Sequence, residues 1–449
     1  MGSHLLELAN DVVRKALAGG ASDAECTIAE GDEFTAEVRM REIESLKEAG
    51  SRGMGLRILI GRRTGSSYTS DLSGEGILRL VGSAFEIAEI TSEDPHAGLP
   101  DAEELGSIEG DLKLYSKGIE NLDPAHNIER AKQAEAAAFA ADPRISNSDG
   151  AGFECGTSRH VFANSRGFSG EYRTSSCSLS ASPVARDGDS MERDYWFTMA
   201  RDPEGLQPAA EVGRIAAQRA LRRLHPVKVE TRRVPVVFEP RTARSLLDSI
   251  FDAVHGMSIY RHESFLAGKL GQKIASDSVT VIDDATIPAL FGTSPFDDEG
   301  VPSRRTPVIE RGVLKNYLLN TYAARKLGMK TTGNAARGLT GNAGIGHGNF
   351  FLAGGVQTPD RIVAGISDGF FVTSLMGFGV NIVTGDYSRG ATGMWIRNGE
   401  LAFAVSEVTI AGNLRDMLLS VEAVGNDLEF SGSLAAPTLK IGEMTVGGK

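Results

Sequence analysis

The feature that most limits the fold is a change of rhythm along the chain. After residue 260 glycine-punctuated strand patterns dominate: VTVIDD (279–284), TPVIERGVLKNYLL (306–319), GFFVTSL (369–375), GMWIRNGELAFAV (393–405) and VTIAGN (408–413). Only one short helical signal, near 320–327, interrupts them. IERGVLKNY and IRNGELAF read as hairpins, because Arg-Gly and Asn-Gly supply the positive φ that tight turns require. The one long helix expected in this half is 240–256, so the C-terminal region reads as β-rich.

The first half has a different texture. Leu5, Ala9, Val12, Val13, Ala16 and Leu17 recur at helical spacing until Gly19-Gly20 stop the segment. The opening MGSH reads as a vector remnant outside the fold. Strands are expected at 24–30 and 33–40, then a meander of hairpins over 45–71. Helical patterns return at 74–89 and 127–141, and 145–200 reads as exposed antiparallel strands. A helix at 210–224 leads to a boundary near 225–233. These elements lack a βαβ rhythm, so the class is α+β. The division is a mixed helix and antiparallel-sheet domain over 1–228 and a β-rich domain over 229–449.

Charge and cysteines narrow the function. A net charge of −12 argues against general nucleic-acid or anionic-membrane binding. Arg214, Arg219, Arg222, Arg223, Arg232 and Arg233 form the one basic cluster, read as a solvated helix face running into a strand. Cys26, Cys155 and Cys177 are an odd number with no CxxC pair, which fits a reducing compartment. With no apolar run long enough to span a bilayer and no signal peptide, the expected location is cytoplasmic.

No GxSxG elbow, phosphate loop or Rossmann fingerprint is present. His347, in GNAGIGHGN (341–349), is either a turn residue or a ligand. Asp283-Asp284 and Asp297-Asp298-Glu299 either bind Mg²⁺ or make turn hydrogen bonds. The segment SIFDAVHGMSIYRHE (249–263) offers two histidines and two carboxylates at the end of the long helix. Leu247, Ile250, Phe251 and Val254 fall at i, i+3, i+4 and i+7, which predicts one buried stripe. His255, His262 and Glu263 could form a rearranged metal site, although a seven-residue histidine spacing suits no common helical ligand pair.

Three longer stretches carry a resemblance: FLAGKLGQKIASDSVTVIDD (265–284), SPFDDEGVPSRRTPVIERGVLKNYLLNTYAARKLGMKTTGNAARG (294–338) and GDYSRGATGMWIRNGELAFAVSEVTIAGNLRDML (385–418). On these the chain resembles the TldD/PmbA family, in particular its PmbA (TldE) branch, along nearly its whole length. The resemblance implies one half of a heterodimeric zinc metalloprotease that degrades or trims unfolded peptides, including leader peptides. In that family the TldD subunit carries HExxxH plus a downstream cysteine. Laid onto this chain, the first His falls at Phe251, the Glu at Asp252, the second His at Gly256 with His255 one place off, and the cysteine at Gly390. A catalytic zinc needs three protein ligands, and no cysteine follows Cys177.

The expected function is therefore a non-catalytic subunit, without its own cofactor, that pairs with a zinc-bearing TldD-like partner and helps enclose a peptide. A homodimer of the isolated chain is a further expectation. Sheet edges bind extended peptides through main-chain hydrogen bonds, and the groove candidates are Phe296, Asp297, Asp298, Glu299 and Gly300 with Gly333, Asn334 and Arg337. The alternatives are a modulator of DNA gyrase acting by protein–protein binding, and an independent metal-dependent hydrolase.

Overall fold

The computed structural model describes residues 3–120 and 122–449. Helix α1 (His4–Ala18) is capped by Ser3, whose hydroxyl accepts from the Leu6 amide. Of the leading MGSH, expected to lie outside the fold, Met1 and Gly2 fall outside the described residues, while Ser3 supplies the cap and His4 the first helical residue, because a hydroxyl at this place satisfies an otherwise orphaned amide.

Four long or medium strands follow: β1 (Asp23–Arg39), β2 (Glu42–Ile60), β3 (Arg63–Thr69) and, after helices α2 (Gly74–Ile90) and α3 (Pro124–Ala141), β4 (Ile145–Asn164). Then come β5 (Ser169–Asp187), β6 (Ser190–Arg193), β7 (Trp196–Ala200) and α4 (Ala209–Leu221). The strands form one antiparallel sheet in the order β3-β2-β1-β4-β5-β6, with β7 also on β5. The two strands expected at 24–30 and 33–40 are one. Gly31 does not break β1 because Ser51 and Ser158 flank it in the two ladders. Its missing Cβ is needed there, as a methyl would lie 3.0 Å from the Thr157 carbonyl oxygen.

The C-terminal part is β-rich, as its sequence rhythm requires. Strand β8 (Arg232–Phe238) runs into α5 (Pro240–Val254) and α6 (Gly256–Tyr260). Beyond them lie β9 (Val281–Asp284), β10 (Arg305–Glu310), β11 (Val313–Leu314), α7 (Thr321–Leu327), β12 (Ala335–Ala336), β13 (Gly344–Ile345) and β14 (Phe350–Leu352). The chain ends with α8 (Pro359–Ala364), β15 (Asp368–Met376), β16 (Asp386–Arg397), β17 (Glu400–Asn413), α9 (Leu414–Leu419), β18 (Val421–Val424), β19 (Leu434–Ala435) and β20 (Leu439–Gly447). One sheet has the order β11-β10-β9-β14-β19; the other runs β17-β16-β15-β8-β20-β18, and β20 also pairs with β17. That last pairing closes a ring of β17, β16, β15, β8 and β20, with β18 left as an edge on β20. Both expected hairpin turns have the required geometry, with φ of 47° and 78° at Arg311 and Gly312, and 52° and 82° at Asn398 and Gly399.

Helix α5 sits between these two sheets, touching β8 and β15 on one side and β14 and β19 on the other. Its buried residues Ala243, Leu246, Leu247, Ile250, Ala253 and Val254 join the largest hydrophobic core. The arginine cluster departs from the solvated face expected for it. Arg219 retains only 9% side-chain exposure, bonding Glu239 at 2.5 and 3.2 Å, and Arg222 bonds the same carboxylate at 3.0 Å. The α4 face is buried because β8 ends beside it and offers Glu239 as counter-charge. Arg214, Arg232 and Arg233 do stay in solvent.

Candidate functional site

The open side of α5 is read directly from its burial pattern. Arg241, Arg244, Ser245, Asp248, Phe251, Asp252 and His255 are all partly or fully exposed, spaced by three or four residues. Phe251, expected inside the buried stripe, lies at the margin of this open face. It packs edge-on against His255 and His347, with ring centroids at 5.9 and 4.9 Å, and against Phe350 at 5.9 Å. Helical spacing sets position 251 equally close to 247 and 255, and the rings of His347 and Phe350 hold Phe251 at the margin.

This geometry also places the second motif position. Gly256 is buried, and a Cβ there would meet Leu319 Cδ2 at 2.5 Å and Ala323 Cβ at 3.0 Å. No histidine fits at 256, whereas His255 stands beside Phe251 on the open face. The His255 Nδ1 already accepts from the Met257 amide at 3.3 Å. Burial pushes the His255 imidazole below its ordinary range, partly opposed by the Asp252 carboxylate; burial likewise raises Asp252. Gly390 lies in β16, opposite Met376 and Thr409. His262 is exposed with a φ of 58°, and Glu263 points to solvent beside Arg261. Among the described residues no three His, Cys, Asp or Glu side chains converge on a possible metal position, so the rearranged His255, His262 and Glu263 site is not assembled. The residues at the motif positions do not fit a zinc ion, since a phenyl ring and two glycines offer no side-chain donor.

His347 is more than a turn residue. Besides stacking on Phe251 and Phe350, it exerts an electrostatic pull on Asp248 and Asp283, both of whose carboxyl groups burial raises, Asp283 to about 6.

The segments 296–300 and 333–337 do come together, but as a packed junction and not as an open groove. The Ala335 amide donates to Asp297 Oδ2 at 2.9 Å, and the Arg337 amide to Asp298 Oδ2 at 2.7 Å. Asp297 also accepts from the Glu299 and Val301 amides. Glu299 accepts from the Thr321 amide at 2.9 Å, and Asn334 donates to Asp283 at 2.7 Å. Gly300 and Gly333, at φ of 81° and 74°, make the bends that allow this. Phe296 is 2% exposed and packs on Phe168 in the turn between β4 and β5 and on Tyr172 of β5, at 5.0 and 5.4 Å. Arg337 reaches across to Glu25, which also binds Arg57 at 2.7 Å. The charged side chains of these segments find partners across the junction, while Phe296 also borders a cavity of about 610 Å³ with Tyr172 and Arg173. The Asp and Glu clusters are engaged with backbone amides, as turns require, and do not gather round one ion.

A cavity that the sequence did not reveal opens on the same side of α5. It has a volume of about 550 Å³ between the two halves of the chain, and Arg241, Arg244, Ser245 and Arg389 line it from the C-terminal part. Arg193, Asp194, Tyr195 and Arg223 line it from the other. The recurrence of Arg241, Arg244 and Asp248 opposite the apolar stripe was the available signal.

Comparison with known proteins follows the fold closely. Residues 24–88, 117–224 and 231–448 match domain 1, the central domain and the C-terminal domain of the PmbA/TldA metallopeptidases. The metalloprotease PmbA of Escherichia coli is 37% identical, with 96% of this chain and 94% of that protein covered. This chain belongs to the PmbA family. The PmbA homologue of Haemophilus influenzae is 36% identical, over 97% of this chain and 94% of its own length. Among solved structures, a protein of Bacteroides thetaiotaomicron described as a candidate modulator of DNA gyrase superposes with a TM-score of 0.92 at 29% identity, covering 99% and 98% of the two chains. TldE of Thermococcus kodakarensis shares the fold, with a TM-score of 0.88 at 22% identity over 98% of this chain and all of its own. No helix among the described residues is long and apolar enough to cross a membrane.

Proposed function

We propose that this PmbA-family chain is the non-catalytic subunit of a two-subunit peptidase. Its TldD-like partner carries the zinc, and this chain contributes walls to a chamber that admits unfolded peptides in the cytoplasm. The supporting observation is the open face of α5. Phe251 stands at the first ligand position, and Gly256 lies buried at the second with no room for an imidazole. Position 390 is glycine, so three metal donors are missing where a zinc peptidase needs them. Relatives named metalloprotease along nearly the full length support the peptidase context. Copurification with an HExxxH-bearing homologue, followed by digestion of an unfolded peptide with and without it, tests the proposal.

A second reading has one specific support, the gyrase-modulator description of the Bacteroides neighbour. Gyrase supercoiling with and without stoichiometric chain tests it; unchanged supercoiling removes it.

A further inference from the structure

The cleft beside α5 carries a charge imbalance unlike the rest of the chain, whose net charge is −12. Five guanidinium groups line it, from Arg193, Arg223, Arg241, Arg244 and Arg389, against the carboxylates of Asp149 and Asp194. Asp149 is taken by Arg193 at 2.7 Å. Asp194 is shared among Arg219, Arg223 and Arg241 at 3.4–3.9 Å. Arg241 is further fixed by its stack on Tyr195, 3.8 Å from the ring centroid. That leaves two cations with no carboxylate at ion-pair distance, and Asp248 acts on both only from farther off. Arg244 donates to the Ser431 carbonyl at 3.3 Å, and Arg389 has a buried Nε with no acceptor; neither forms an ion pair among the described residues. Hydroxyls of Ser245, Thr373 and Ser374 border the same space.

Unpaired, partly desolvated guanidinium groups are costly unless an anion joins them, and their planar fork matches a carboxylate. A volume of about 550 Å³ is ample for the end of a peptide. Arg244 also leads, four residues at a time, to Asp248, Asp252 and the motif positions on the open face of α5.

We propose that this cleft binds a carboxylate of a peptide laid along α5, with Arg244 and Arg389 as its direct partners. The proposal rests on the peptide-handling function given above and names the charge of what is handled. The carboxylate comes either from the peptide's chain end or from its acidic side chains.

The test is fluorescence polarisation on the full chain with dye-labelled unfolded peptides. Four forms are compared: glutamate-rich with a free C-terminus, the same amidated, the glutamine-substituted free acid, and the glutamine-substituted amide. The chain binds the first about tenfold or more tightly than the last, and added salt erodes the difference. The two intermediate peptides assign the carboxylate to chain end or side chain. The double variant Arg244→Gln/Arg389→Gln loses the preference while keeping the melting temperature and the affinity for the uncharged peptide. Arg244→Lys/Arg389→Lys retains much of it. Equal affinity for all four peptides, or an undiminished preference in the double Gln variant, overturns the inference. If uncharged peptides are still bound and still digested with the partner, the subunit function stands and only the cleft assignment falls.

Discussion

Two of the polar junctions between the halves of the chain have opposite character. At the first, Glu25 sits between Arg57 and Arg337, and Asp297, Asp298 and Glu299 accept from backbone amides. At the second, Asp194 is divided among three arginines while Arg244 and Arg389 form no ion pair among the described residues and have only the more distant Asp248 between them. The first junction holds the molecule together because its carboxylates meet arginines and backbone amides from the opposite side. The second leaves a cavity, and its surplus is of one sign. Satisfied polar groups make architecture, and unsatisfied ones in a cleft make a binding surface.

The comparison breaks most severely at Glu25. Burial raises its carboxyl, but Arg337 and Arg57 outweigh burial and hold it below the ordinary range. Removing Arg337 (R337A) leaves Glu25 with one partner in a fully buried place, and should cost about 3–5 kcal/mol in urea unfolding. A smaller effect is expected where backbones touch. A Cβ on Gly55 would stand 1.7 Å from the Leu339 carbonyl oxygen. Gly55→Ala therefore forces the 337–342 loop off β2, at about 1–3 kcal/mol, and limited proteolysis should cut that loop sooner.

Asp297 gives the comparison a pH signature. Burial first, then Glu299, pushes its carboxyl up to about 8. An unfolded aspartate ionises near 4, so the unfolded state gives up its proton first. The stability that this group contributes is complete below about pH 4 and lost as pH rises through 8. Asp297→Asn should flatten the decline of melting temperature over that window. The smallest stability effect belongs to the second junction: Arg244→Gln with Arg389→Gln should shift unfolding by less than about 1 kcal/mol, since these groups form no ion pair and Arg244 makes one long bond to the Ser431 carbonyl. A loss as large as that of R337A would show the two junctions to be alike.

Much of the architecture was legible because local rules and tertiary outcome agree. The α1 stripe, the two positive-φ hairpin turns and the helix-poor C-terminal half follow from periodicity and turn chemistry. The site was legible only as an absence. That Phe251 and Gly390 cannot ligate zinc is evident from side-chain chemistry, but helical spacing alone put Phe251 in the core. The second sheet and the stacking of His347 bring it to the open margin. The burial of Phe296, Asp297, Glu299 and Asn334 was not legible, because their partners Tyr172, Ala335, Thr321 and Asp283 are distant in sequence or paired through a bend. Arg219 misled for the same reason, as Glu239 lies beyond the loop between α4 and β8.

The central claim is that the chain shapes a peptidase chamber without carrying its chemistry. Digestion of one unfolded peptide by the purified chain, by an HExxxH-bearing partner and by their mixture, each with zinc measured and chelator added, tests it most directly. The account predicts no stoichiometric zinc and no cleavage with the chain alone, and chelator-sensitive cleavage by the mixture. Chelator-sensitive cleavage by the chain alone, with one zinc per chain, would contradict it.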